Sequence, residues 1–259
     1  MSWEARSIVA STAWIACWWL TEAIPIPATS LLPIILFPLL GGFFIAIAIL
    51  ILMTYYYKPS WENQTMPINK SHTGNISVED AIAQRRSERN FLDRSLTKDQ
   101  FFMILWAAQG ITGDGKRAAP SAGATYPLEI YALAGKVEGL DAGVYRYIPE
   151  NHSLSKHVSG DKRKELAAAS LNQNFIADAP LVIVIAAQYQ RTTKRYGERG
   201  IRYVHIEVGH VGQNIYLQAE SLGLGTVVVG AFYDEEVARV LNFPDAHEPL
   251  YVMPIGYVR

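Results

Sequence analysis

Three guanidinium groups and a hydroxyl fall within five residues at Arg85-Arg86-Ser87-Glu88-Arg89. A guanidinium is a flat fork of N–H donors that matches phosphate oxygens, so the cluster has the chemistry to grip a phosphorylated cofactor. The plainer alternative is a solvated, charged helix end. Three further stretches supply company. Pro120-Ser121-Ala122-Gly123-Ala124-Thr125-Tyr126-Pro127 is a run of small residues that lets backbone approach a flat ligand closely. Gly209-His210-Val211-Gly212-Gln213-Asn214 places two glycines inside an apolar helical pattern, and Leu222-Gly223-Leu224-Gly225-Thr226 precedes Gly230-Ala231-Phe232 near the C-terminus. His210, flanked by glycines, reads as a satisfied core residue rather than a general acid. No His/Asp/Ser grouping and no metal-spaced carboxylate pair is evident.

The elements that must position these residues follow from periodicity. Ser77 with Glu79 and Asp80 predicts a helix over about 77–88, which would deliver Arg85 and Arg86 at its C-terminal end. Thr97-Lys98-Asp99-Gln100 has the form of a capping box and predicts a helix to about Gln109. Residues 110–126 read as a loop. Leu128–Leu133, Gly143–Tyr147, Val227–Val229 and Leu250–Val258 read as strands, and the unbroken apolar run Leu181–Ala187 as a strand covered on both faces. Helices are expected at Asp161–Ser170, Gly200–Leu222 and Asp234–Leu241. The long one is apolar almost all round and is expected at the domain centre or a subunit interface. Without a regular βαβ rhythm, the fold class is α+β.

The chain carries 23 Lys and Arg against 24 Asp and Glu, with no long basic tract, which argues against nucleic acid as a partner. Its one cysteine is Cys17, so disulfides and thiolate chemistry are excluded beyond it. Charge is unevenly spread: between Ser7 and Tyr57 only Glu22 is ionisable as an acid or base of the Asp, Glu, Lys and Arg set. Such a stretch can hold one or two membrane spans, at about 34–56 and 7–24, placing the protein at a membrane through an N-terminal anchor of residues 1–57. Residues 58–75 are polar and read as a linker to a domain over 76–259. Within the anchor, Trp18-Trp19-Leu20-Thr21-Glu22-Ala23-Ile24-Pro25-Ile26-Pro27 resembles a membrane segment of the divalent-anion:sodium symporters. The likeness spans about residues 10–41, and lacks the paired broken helices that build a carrier's site.

Taken together, the arginine cluster, the Pro120–Tyr131 loop and the Glu207–Gly225 stretch resemble the nitroreductase superfamily, specifically its SagB-type dehydrogenase branch, over about 76–259. The resemblance implies a central mixed or antiparallel sheet flanked by helices, in an intertwined homodimer with two FMN molecules at the subunit interface. It implies that Arg85, Arg86 and Ser87 hold the phosphate and ribityl chain. It sets Arg89 against the flavin N1/O2 edge, where a cation would stabilise the charge of the reduced ring. By the same resemblance Pro120, Ser121, Ala122 and Gly123 border the isoalloxazine from the partner subunit. Gly225, Val229, Gly230 and Ala231 line its other side, and Arg259 is a further phosphate ligand.

The implied activity is ping-pong hydride transfer through FMN to or from a small organic substrate, with NAD(P)H as a possible co-substrate. Gly223-x-Gly225 lacks the third glycine of a dinucleotide fingerprint, so a nicotinamide would have to stack transiently on the flavin. Azoline-oxidising members carry a Lys-Tyr pair before the long helix. Here Arg195 precedes Tyr196, and a guanidinium stays protonated at any working pH. Azoline dehydrogenation in peptide maturation is therefore a rival reading, as is reductive dehalogenation. A non-catalytic membrane protein with a vestigial flavin site is another.

Overall fold

The computed structural model describes residues 76–259. The expected membrane spans, linker and symporter-like segment lie outside the described residues. Among those described, no helix is long and apolar enough to cross a membrane.

Two helices open the domain. The first, α1 (Val78–Gln84), is capped by Ser77, whose Oγ accepts from the Asp80 amide at 3.0 Å. The second, α2 (Lys98–Gln109), starts with both bonds of the capping box in place, Thr97 to Gln100 and back. A small hairpin follows, β1 (Ile111–Gly113) and β2 (Lys116–Arg117). The elements β3 (Leu128–Ala134), β4 (Gly143–Ile148), β5 (Ser153–Ser159), α3 (Arg163–Ala169), α4 (Phe175–Asp178) and β6 (Leu181–Ala187) come next. The chain then forms α5 (Gln190–Tyr196), α6 (Arg199–Ser221), β7 (Gly225–Thr226), α7 (Asp234–Val240) and β8 (Glu248–Gly256).

Six strands make one antiparallel sheet in the order β5-β4-β3-β6-β8-β7. Its centre is β6, and the alternation of that strand sets the layers. Leu181, Ile183, Ile185 and Ala187 face a core shared with Phe101 and Leu105 of α2 and with Val204, Val211 and Ile215 of α6. Val182, Val184 and Ala186 face the other way, onto Leu166, Ile176, Val237 and Leu241 from α3, α4, α7 and the turn after it. Helices thus cover both faces, which is why this strand reads as one continuous apolar run.

Several sequence expectations need correction. The first helix stops at Gln84 rather than near residue 88, and Arg85 is already extended (φ −51°, ψ 132°). No glycine caps this end; Arg86 folds back instead, its Nη1 donating to the carbonyls of Ala83, Gln84 and Arg85. Pairing of Val227–Val229 shrinks to a single bridge between Val229 and Val252, and the edge strand is Gly225–Thr226. The long helix α6 is unbroken and one-sided rather than apolar all round. Val204, Val208, Val211, Ile215 and Ala219 face the core, while Ile201, Ile206, Gly209 and Gln213 are exposed. His210 sits on that exposed face and is not a core residue. Gly212 has a packing reason, since a Cβ there would meet the Tyr251 ring at 3.4 Å.

Candidate active site

Beyond α1 the chain runs extended to the sheet edge. Ser87 bridges Thr226 of β7 in parallel, and the Glu88 amide donates to the Thr226 carbonyl at 2.9 Å. This approach needs a glycine. A Cβ on Gly225 would lie 2.4 Å from Val258 Cγ1 and 2.9 Å from Glu88 Cβ, well inside contact distance. The arginine stretch is therefore a seventh, one-residue strand seated beside β7.

Side chains tie this edge to α6. The Tyr216 hydroxyl accepts from the Val228 amide at 3.0 Å and lies 3.1 Å from Ser87 Oγ. One buried tyrosine thus holds both the arginine stretch and the segment after β7. The Arg85 guanidinium lies over the Tyr216 ring, 5.2 Å from its centroid. Arg89 reaches back to the Ser87 carbonyl at 3.4 Å, with its guanidinium 5.8 Å from the Phe175 ring. Ser87 and Arg89 are exposed and Arg85 is half-buried. Arg86 is spent on the helix end.

The C-terminal side of the cluster arrives on the same edge. Val229 is locked to Val252 by two backbone bonds of 2.8 and 2.9 Å. Gly230 and Ala231 follow it exposed, with the Ala231 carbonyl accepting from Gln173 at 3.0 Å. Phe91 pairs with Val258 antiparallel, a register that sets exposed Arg259 opposite Asn90. Arg85, Ser87, Arg89, Gly225, Val229 and Arg259 are accordingly brought to one edge by one chain.

The Pro120–Gly123 loop is not. Pro120 is exposed, and Ala122–Ala124 form one 3-10 turn in which Gly123 has φ +60°. Its holders are α5 and the N-terminal half of α6. Arg195 Nη1 donates to the Gly123 carbonyl at 3.1 Å, and the hydroxyls of Thr125 and Thr192 lie 2.8 Å apart. A Cβ on Gly123 would fall 2.4 Å from the Tyr196 hydroxyl. Within the turn, Ser121 Oγ accepts from the Tyr126 amide at 2.9 Å. Ser121 neighbours Glu207 of α6, whereas the arginine edge meets Tyr216 of the same helix. Nine residues of helix separate them, a rise of about 13 Å.

Glu207 is a residue that sequence reasoning missed. It is 2% exposed, and its Oε1 has no hydrogen-bond partner. Burial pushes its carboxyl up to about 7, offset in part by the Ser121 hydroxyl, the Gln109 amide and the Arg117 guanidinium. Glutamate is a good helix former and ordinarily solvated, so its type alone gave no signal. Its place in the apolar stripe with Val204, Val208 and Val211 did.

Comparison with known proteins agrees with this architecture. Residues 82–257 match the Nitroreductase family. A Methanocaldococcus jannaschii protein assigned to the nitroreductases is 51% identical over 193 residues, covering 74% of this chain and 96% of its own. The Microcin B17-processing protein McbC of Escherichia coli is 28% identical, with 56% of each chain covered. Among solved structures, a nitroreductase from Ralstonia eutropha superposes with TM-score 0.62 at 27% identity, over 71% of this chain and 84% of that one. The NADPH:FMN oxidoreductase of Vibrio harveyi, complexed with NAD+, shares the fold at TM-score 0.51 and 23% identity, over 70% and 68%. A separate match is the sodium-dependent dicarboxylate transporter SdcS of Staphylococcus aureus, 46% identical over 18% of this chain and 13% of the transporter. The McbC match accords with the expected SagB-type kinship, and the SdcS match with the symporter-like N-terminal segment. By its matched span and its fold, the chain belongs to the nitroreductase family.

Proposed function

We propose that this oxidoreductase uses FMN, held at the edge where Arg85, Ser87 and Arg89 meet Gly225–Ala231. The observation that carries the reading is that meeting. Cationic and hydroxyl donors and a glycine-containing segment exposed at Gly230 and Ala231, far apart in sequence, share one sheet edge and are fixed to it by Tyr216. Arg85 has free donors for a phosphate, Ser87 offers the hydroxyl it shares with Tyr216 to the ribityl chain, and Arg259 reaches the same neighbourhood. Arg86 contributes charge rather than a bond while it caps α1. In this reading Arg89 would stand beside the edge of the ring that gains charge on reduction, and a fixed cation there lowers the cost of that charge. FMN would supply the two-electron hydride chemistry, with NAD(P)H or an organic molecule as donor.

The second half of the site, Pro120–Gly123, belongs in this reading to the partner subunit of a homodimer. Val78 and Ile82 on α1 and Ile206 on α6, exposed at 64%, 55% and 51%, favour such a face. The N-terminal segment is proposed as a membrane tether, which carbonate extraction would test: release of the full chain into the supernatant would refute it.

Azoline dehydrogenation is the second reading, favoured by the likeness to McbC. Arg195 speaks against it, because it stands where a lysine base would be and is engaged on the Gly123 carbonyl. The deciding experiment is an absorbance spectrum of the purified full chain. Flavin bands with FMN released on denaturation are expected. A colourless, folded protein that also rejects added FMN would end the proposal.

A further inference from the structure

Away from the arginine edge, a cavity of about 280 Å³ opens over β3 and β4 and carries three guanidinium groups, Arg117, Arg146 and Arg191. Its anchor is Glu129, 7% exposed. Glu129 Oε2 accepts from Arg146 Nε at 2.8 Å and Oε1 from Arg191 Nη2 at 2.5 Å. Burial pushes this carboxyl up, but its bonds to the two arginines outweigh that and hold it below the ordinary carboxylate range. Glu129 is thus a charged counter-ion that fixes two cations in place, and both its oxygens are used.

The cations are not all used. Arg191 spends Nη1 on the Tyr126 carbonyl at 3.0 Å and Nη2 on Glu129. Arg146 engages only Nε, and neither of its terminal nitrogens has a partner among the described residues. Arg117 lies 4.6 Å over the Tyr126 ring and donates to Gln109 Oε1 at 3.1 Å and to Glu150 Oε1 at 3.3 Å. The Glu150 side chain is 66% exposed, so that pair is weak and easily displaced. Three cations therefore share the cavity with two carboxylates, one of them mostly in water, and buried Glu207 lies within electrostatic reach of Arg117. Thr125, Ile148 and Pro149 complete the accessible lining, whereas Leu128, Ile130 and Tyr147 beneath it are 2% exposed or less and pack into the core on the other face of the sheet.

We propose that this cavity binds a small organic carboxylate, its oxygens on the terminal nitrogens of Arg146 and on Arg117, its body against Ile148 and Pro149. Guanidinium and carboxylate match as two forks, so the unused pair on Arg146 suits this ion. The cavity is slightly smaller than the roughly 300–1,000 Å³ of drug-sized ligand pockets, which limits the body to about one ring. The half-buried Ile148 and Pro149 would be wasted on a bare oxyanion.

Benzoate is a suitable probe, titrated calorimetrically into the full chain at low salt, with inorganic phosphate in a parallel experiment. One benzoate per chain is expected, with phosphate weaker. Arg146→Gln should weaken benzoate about tenfold or more, since a charge-assisted fork is lost. Glu150→Gln should tighten it by a few-fold, because it frees Arg117. Absence of benzoate binding, phosphate binding as well as benzoate, or an unchanged affinity in Arg146→Gln would each overturn the assignment. Should Arg146→Gln fail to fold, Glu150→Gln decides alone, and an affinity equal to or below that of the parent refutes the site. None of these readouts passes through a flavin, so the outcome is independent of the FMN proposal.

Discussion

The two halves of the candidate site are held by different forces. Backbone does most of the work at the arginine edge, with the Tyr216 hydroxyl added: Ser87 and Glu88 are paired with Thr226, Val229 with Val252, and Phe91 with Val258. Side chains do it at the Pro120–Gly123 loop, where Arg195, Thr192 and Tyr196 clamp the turn from α5 and Glu207 underlies it from α6. Backbone pairing leaves the Arg85 guanidinium unspent and does not titrate. The clamp does both: it consumes Arg195 and includes a buried acid poised near neutrality. The edge should therefore behave alike across pH, and the loop should not.

The largest effect tests the acid. Because the folded state raises the Glu207 carboxyl to about 7 from 4.5, folding favours its protonated form. Its stabilising contribution is then complete below the unfolded value and is lost as pH rises through about 7. The loss is on the order of 2–3 kcal/mol. Glu207→Gln keeps the shape without the charge, so its advantage over the parent should be near zero at pH 4.5 and reach 2–3 kcal/mol by about pH 8. Urea midpoints of both proteins at the two pH values measure this. An equal gap at both would mean that the carboxyl is ionised throughout.

Next comes the edge. Gly225→Ala puts a methyl where Val258 and Glu88 already stand, so residues 87–88 must lift away from β7. About 1–3 kcal/mol of stability should go, as in other overpacked sites. Affinity for added FMN should fall with it. If stability falls and FMN affinity does not, the flavin lies elsewhere. Gly123→Ala would be strained too, but for a different reason: the residue has φ +60° and the Tyr196 hydroxyl overhead.

These contrasts also show what the sequence made legible. The capping box at Thr97 and the two-faced strand at Leu181–Ala187 could be read directly, because local bonds and burial leave their mark in residue type. The small hairpin was legible and overlooked: Asp114-Gly115, at φ 50° and 69°, is the dipeptide that tight hairpins favour. Two elements were hidden for physical reasons. β5 is an edge strand, and Ser153-Leu154-Ser155-Lys156-His157 carries little apolar signal. α5 is polar nearly throughout, since its job is to offer Thr192 and Arg195 to a loop rather than to fill a core. In the site, the cluster at 85–89 and the glycines of 225–230 announced themselves by type. The long-range contacts of Tyr216, Glu207 and Arg195 could not, because each depends on which turn of a helix faces which loop.

Arg89 supplies a smaller, kinetic effect. Its side chain is exposed and makes one long bond within its own stretch, so Arg89→Ala should leave the fold and oligomeric state intact. Loss of a cation beside a ring gaining charge should slow flavin reduction about tenfold, or about 1.4 kcal/mol of barrier. Stopped-flow bleaching reads this, and an unchanged rate would show that Arg89 faces away from the reacting edge.

The smallest expected effect is the sharpest test of the edge's geometry. Gly230 has ordinary φ, and a Cβ added there meets nothing within 4 Å. Gly230→Ala should thus change stability by no more than about 0.5 kcal/mol, as for surface sites free of special contacts. If a flat ring packs on this segment, however, the same methyl enters its face and FMN affinity should drop while the thermal midpoint of the unliganded protein stays put. Gly225→Ala loses both properties together; Gly230→Ala should separate them. Were it to leave FMN affinity untouched, the open space beside Gly230 would be solvent and not cofactor, and the ring would have to be sought on the other side of Val229.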